Sequence, residues 1–137
     1  MMPLKTLAAL LALAATPATA DLSAVNAVRA GQGLAPLAAS PVLEGVARAH
    51  SEYMARTGRV GHAGAGGARL GPRIASSGYR ACFAAENVAW GFADAAAAIA
   101  AWQGSGGHRR NMLDRRATQA GLAGRNGFWT LVLASPC

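Results

Sequence analysis

Polar chemistry is scarce in this chain. Only 14% of its 137 residues are charged, three are histidine and six are acidic. One dispersed set stands out: His62, then Glu86-Asn87, then Trp102-x-x-Ser105-x-x-His108. His62 and His108 both sit in short glycine-rich segments, with Glu86 between them in the chain. Two neutral imidazoles and a carboxylate can hold zinc or a similar divalent ion and leave one coordination position open. With a bound water the same set could hydrolyse an ester or peptide bond. A different chemistry uses Ser105 as nucleophile, His108 as base and Glu86 as the group that orients the base. A structural alternative asks less of these residues. His62, Glu86 and His108 then hydrogen-bond one another and tie loops to the core, and Ser105 caps a helix.

Other residues invite a similar choice. His50 lies on an apolar helical stripe and reads as a core or core-edge histidine, with a role in the site as the alternative. Trp90, Trp102 and Trp129 read as core, because a small domain needs large apolar side chains, or else as the lining of a lipid groove. Arg73 and Arg109-Arg110 read either as the rim of a cleft that suits an anionic ligand or as a solvated face. Glu86-Asn87 has a structural reading as well: Asn87 braces a loop through backbone hydrogen bonds and Glu86 pairs with an arginine.

The elements that must position these groups can be placed from local signals. Lys5, the apolar run from Leu7 to Leu13 and Ala18-Thr19-Ala20 have the layout of a secretory signal peptide. That run is too short to cross a bilayer, so residues 1–20 are expected to be cleaved. Residues 21–137 then form one domain that is secreted, to the periplasm or the medium. Asp21 should cap a helix over 22–31. Ser40 and Pro41 open the clearest helix, with Leu43, Val46, Ala47, His50, Tyr53 and Met54 on one stripe and Gly58 at its end. Residues 61–67 read as a glycine-rich loop, 68–77 as a short helix closed by Gly78, and part of 79–90 as extended. Asp94 caps a helix over 95–103, and residues 109–113 form one helical turn. Apolar runs at 118–124 and 128–134, joined by Arg125-Asn126-Gly127, read as a hairpin. Helices first and a hairpin last argue for an α+β fold.

Cys82 and Cys137 are the only cysteines. In an oxidising compartment they allow a single intramolecular bridge, worth on the order of 4 kcal/mol for so long a loop. The alternative is a pair of free thiols. Without Lys5 the basic residues are all arginine, and the mature chain carries about +6. That charge suits anionic polymers or lipid headgroups. No recognition helix or aromatic ladder accompanies it, which excludes a nucleic-acid-binding reading.

The matching pieces run in order through the chain. They are Asn26-x-x-Arg29, Pro36-Leu37, Leu43-x-x-x-Ala47-x-x-His50-x-x-x-Met54, Gly61-His62 and Arg73-x-x-x-x-Gly78-Tyr79. Glu86-Asn87-Val88-Ala89, Trp102-x-x-Ser105-x-x-His108-x-x-Asn111-Met112-Leu113, Gly121 and Phe128-Trp129-Thr130 follow. Together they resemble the cysteine-rich secretory, antigen 5 and pathogenesis-related superfamily, in its compact bacterial SCP-like form. The resemblance implies an α-β-α sandwich around a three-stranded antiparallel sheet. It also implies a cleft with His62 and His108 as paired histidines and Glu86 as the first acidic residue. Ser105 stands where many members carry a second acid. The expected activity is binding rather than turnover, by a monomeric domain that needs no cofactor. Its ligand would be a lipid or sterol, another small apolar or anionic molecule, a protein partner, or a divalent metal such as zinc. The rival is a metal-assisted hydrolase or peptidase that uses the same cleft.

Overall fold

The computed structural model describes residues 21–137. The signal peptide read from residues 1–20 lies outside them. Among the described residues, five α-helices surround one sheet: α1 (Ser23–Ala30), α2 (Pro41–Thr57), α3 (Leu70–Ser76), α4 (Ala95–Gln103) and α5 (Gly106–Met112). The strands are β1 (Ala38–Ala39), β2 (Ala81–Trp90), β3 (Gln119–Arg125) and β4 (Phe128–Pro136), in the order β1-β3-β4-β2.

Local chemistry accounts for most boundaries. Ser40 Oγ accepts from Leu43 N at 3.2 Å and Pro41 takes the first turn of α2, where a missing N–H costs nothing. Gly58, at φ 70°, ends α2 in the left-handed conformation that glycine tolerates best. Asp94 Oδ1 accepts from Ala97 N at 2.9 Å and starts α4. Asn126 and Gly127, at φ 50° and 82°, close the β3–β4 hairpin with the backbone twist a two-residue turn needs.

Alternation along the strands splits the core in two. Leu131, Leu133, Leu122 and Ala120 face α1, α4 and α5 and pack with Val25, Ile99, Trp102 and Met112. Val132, Ala134 and Ala123 face α2 and α3 and pack with Leu43, Val46, Ala47 and Ile74. The result is the expected α-β-α sandwich. Arg29, 2% exposed, joins α1 to the far end of the chain through the carbonyls of Ala35, Met112, Asp114 and Ala117. Asn26 exchanges two hydrogen bonds with the backbone of Leu37 and fixes the link to β1.

Three details differ from the sequence reading. The sheet has four strands, because residues 38–39 add a short parallel strand to β3, while the antiparallel trio is as expected. Helix α5 begins at Gly106, three residues before the expected turn, and Leu113 is its terminus. Trp90 is 63% exposed, not core, and it is the last residue of β2. Trp102 is 1% exposed as expected, and Trp129 is half-buried with Nε1 donating to Phe92 O at 2.8 Å.

Candidate functional site

The site forms around β2, the edge strand of the sheet. Glu86 lies midway along it with its side chain 2% exposed. A carboxylate so deeply buried needs partners, and it has two. Arg73, projecting from α3, places Nη2 2.9 Å from Oε1 and 2.8 Å from Oε2. His62, from the glycine-rich loop, places Nδ1 2.9 Å from Oε1.

A carboxylate only accepts, so Nδ1–H of His62 is the donor. That choice leaves Nε2 as the free acceptor of the neutral ring. The His62 side chain is 48% exposed, so the ring bridges a buried acid and open solvent.

The loop bearing His62 is gripped on both sides. Arg73 Nη2 also donates to His62 O at 2.9 Å. His50 Nε2 lies 2.6 Å from Gly61 O, and a carbonyl can only accept, so this nitrogen carries the proton. His50 is 2% exposed and its Nδ1 has no protein partner. Burial holds the His50 imidazole below the ordinary histidine pKa, against opposing help from its bond to Gly61 and from Glu86.

His108 approaches from the other layer, on α5. Its ring lies 6.5 Å from that of Trp102, and its backbone carbonyl accepts from Asn87 Nδ2 at 2.9 Å. Asn87 Oδ1 in turn accepts from Asn111 Nδ2 at 2.9 Å. Trp102 Nε1 donates to Val88 O at 3.0 Å. Side chains of α4 and α5 thus close the edge of β2 and set His108 beside it. Burial, followed by the proximity of His62, lowers the His108 pKa and favours the neutral ring.

Of the residues read as a site, His62 and Glu86 are in direct contact, while the structure gives the His108 ring no hydrogen bond to either among the described residues. Among the described residues, no three His, Cys, Asp or Glu side chains are arranged to hold a metal ion. Glu86 accepts from Arg73 through both oxygens and from His62 through Oε1, so a metal there would compete with those bonds. The donor set His62, His108 and Glu86 therefore does not fit a three-ligand zinc centre. The serine arrangement is not assembled either. Ser105 is the N-cap residue of α5, its hydroxyl makes no hydrogen bond among the described residues, and Glu86 orients His62 rather than His108.

Arg73 is the arginine that pairs with Glu86, a pairing expected of Glu86 without the partner being singled out. It is neither rim nor solvated face: its side chain is 13% exposed and holds Glu86. The available signal was the need of one buried carboxylate for a cation. Arg109 and Arg110 are exposed, as the solvated reading has it.

Comparison with known proteins now decides the family. The model of the cysteine-rich secretory protein family, CAP, matches residues 22–126. The chain belongs to the CAP family. Among solved structures it is similar to an extracellular protein containing an SCP domain from Bacillus anthracis, with 29% identity and a TM-score of 0.78. That match covers 80% of this chain and 37% of the other, so this chain spans little more than a third of that protein. An outer surface protein of Borrelia burgdorferi shares the fold at 16% identity and a TM-score of 0.73, covering 84% of this chain and 89% of its own. A cysteine-rich secretory protein of Staphylococcus aureus shares it at 22% identity and a TM-score of 0.66, covering 82% and 37%. No curated protein matches the chain.

Cys82 and Cys137 form a disulfide, and the described residues hold no free cysteine. No helix among them is long and apolar enough to cross a membrane.

Proposed function

We propose that this CAP domain is secreted, to the periplasm or the medium, and works by binding a ligand in the cleft lined by His62, Glu86 and His108. One observation carries the reading. Glu86 is held by Arg73 and His62, so it acts as an anchor that orients His62 rather than as a free acid or base. What remains for a ligand is the Nε2 acceptor of His62 and the neutral ring of His108. These groups can accept a hydrogen bond from a hydroxyl or an N–H of a ligand. A lipid or sterol that presents a hydroxyl fits this chemistry, as does another small apolar or anionic molecule or a protein segment. A divalent ion such as zinc would find two imidazoles and no free carboxylate, which makes it a modulator of binding. The metal-assisted hydrolase is disfavoured for the same reason, because Glu86 would have to leave Arg73 to act.

The test is a screen of the purified, oxidised domain on peptide, ester and cell-wall substrates, with and without zinc. Ligands that co-purify are extracted in parallel and weighed by mass spectrometry. The expected result is no turnover, and a bound molecule that is lost in His62→Ala. Turnover that disappears in His62→Ala or His108→Ala while the fold is kept would overturn the binding reading.

A further inference from the structure

Away from the cleft, one surface feature has no structural use. Trp90 is 63% exposed, and its ring lies 6.2 Å from that of Phe128. Strand register sets the surroundings. Trp90 pairs with Phe128, and Phe128 pairs with Arg125, so the three form one row across the end of the sheet. Residues directly opposite on paired strands share a face, so the three side chains lie on the same side. That side is the α2 side, because Thr130, two residues beyond Phe128, hydrogen-bonds Ser51 of α2 at 2.8 Å. Arg125 also lines a cavity of about 400 Å³ with Arg56, Glu52, Ala55 and Asn126. Arg125 thus stands in the row with the aromatic pair, while Arg56, its guanidinium 5.8 Å from the Tyr53 ring, and Glu52 share the adjoining cavity. The row is pre-shaped. The Asn126-Gly127 turn holds the hairpin, and Gly91 N donates to Gly127 O at 2.9 Å to lock the end of β2 against it.

We propose that this end of the sheet docks on an anionic lipid bilayer. Trp90 and Phe128 would enter the interfacial layer, with Arg125 and Arg56 at the phosphates. An indole is at home in that layer, where an apolar body meets a wet surface. Arginine beside it keeps its charge at the headgroups while its stem covers apolar surface. The mature chain, at about +6, is attracted to the same surface from a distance. A protein partner would be expected to bring a pocket for Trp90. The cavity next to the row is lined by neither aromatic ring, and a bilayer needs no pocket. Glu86 lies four residues along the same face of β2, about 13 Å from Trp90, so docking would set the cleft close to the lipid.

The test uses the mature, oxidised chain and two kinds of vesicle: phosphatidylcholine alone, and an equimolar mixture of phosphatidylcholine and phosphatidylglycerol. The chain should sediment with the mixed vesicles, not with phosphatidylcholine, and added salt should release it. Tryptophan emission should shift to the blue on binding, and the shift should vanish in Trp90→Phe, since Trp102 and Trp129 are already packed. Trp90→Ala should weaken partitioning roughly tenfold and Arg125→Glu roughly as much. Both positions are exposed, so unchanged melting temperatures should accompany those losses. His62→Ala should bind vesicles as the parent does, which separates this proposal from the function of the cleft. Failure to bind either vesicle, or equal binding by Trp90→Ala, would overturn it. So would capture by an acidic protein in place of lipid.

Discussion

Glu86 has the chemistry of a catalytic acid and the surroundings of an anchor. Its partner Arg73 is nearly as buried, and removing one side of such a pair strands the other charge away from water. Arg73→Ala should therefore cost about 3 kcal/mol in urea unfolding, more than a surface arginine such as Arg109. Replacing both partners at once, as Arg73→Met with Glu86→Leu, should cost less than the two single changes added together, the signature of direct coupling. A purely additive double variant would show that the pair is not a unit. The two shifted histidines give the site a pH dependence. His50 and His108 are held below the ordinary value, about 6.5, chiefly by burial. Above that pH neither folded nor unfolded chain binds the proton, and their contribution to stability is complete. As the pH falls through about 6.5 the unfolded chain takes up protons first, and stability declines until the folded rings protonate as well. Melting temperature should thus drop between about pH 7 and pH 5. The drop should be shallower in His50→Phe, and an identical slope in that variant would clear His50 of the effect. The residue types of this site were readable from spacing. The Arg73 contact was not, because which cation meets a buried acid is fixed by how α3 lies against β2.

At the scale of elements, one close approach carries much of the packing. Helix α2 lies across β3 so closely that a methyl group on Gly121 would overlap the backbone of Leu43 and Glu44. Backbone cannot step aside as a flexible side chain can, so the helix would have to lift off the sheet. Gly121→Ala is expected to destabilise by about 3 kcal/mol or more. Gly124 offers a contrast, since its obstacle is the Trp129 ring, a side chain rather than backbone. Gly124→Ala should cost less, and the ranking of the two by urea unfolding checks the argument. Local signals made α2, α4 and the hairpin legible. Ser40, Pro41, Gly58, Asp94 and Asn126-Gly127 act on their own neighbours in the chain, so their meaning does not wait for the fold. Strand β1 was not legible, since it exists only because Thr118 O and Ala120 O accept from Ala38 N and Ser40 N. Trp90 misled for a related reason. Its composition says core, and only its place at the end of β2 says surface.

For the whole molecule, the Cys82–Cys137 disulfide spans 55 residues and ties the end of β4 to the start of β2. Those strands are already paired along nine register positions, from Ala81 with Pro136 to Trp90 with Phe128. The bridge therefore adds little to the native contacts and acts mainly by restricting the unfolded chain. Two consequences follow from that division. Reduction should leave the His62–Glu86 bond in place, because Glu86 sits mid-ladder with Val132 opposite. It should also lower the unfolding free energy by about 4 kcal/mol and raise the urea m-value, since the freed chain exposes more surface. The native, unreduced protein should titrate no thiol, and the reduced protein should titrate two. Urea curves with and without a reductant, read alongside a histidine NMR spectrum, separate the effects. If the reduced protein lost its folded histidine signals before any urea was added, the ladder would not be self-sufficient. The bridge would then be holding the site together, and the unfolded-state account would fail.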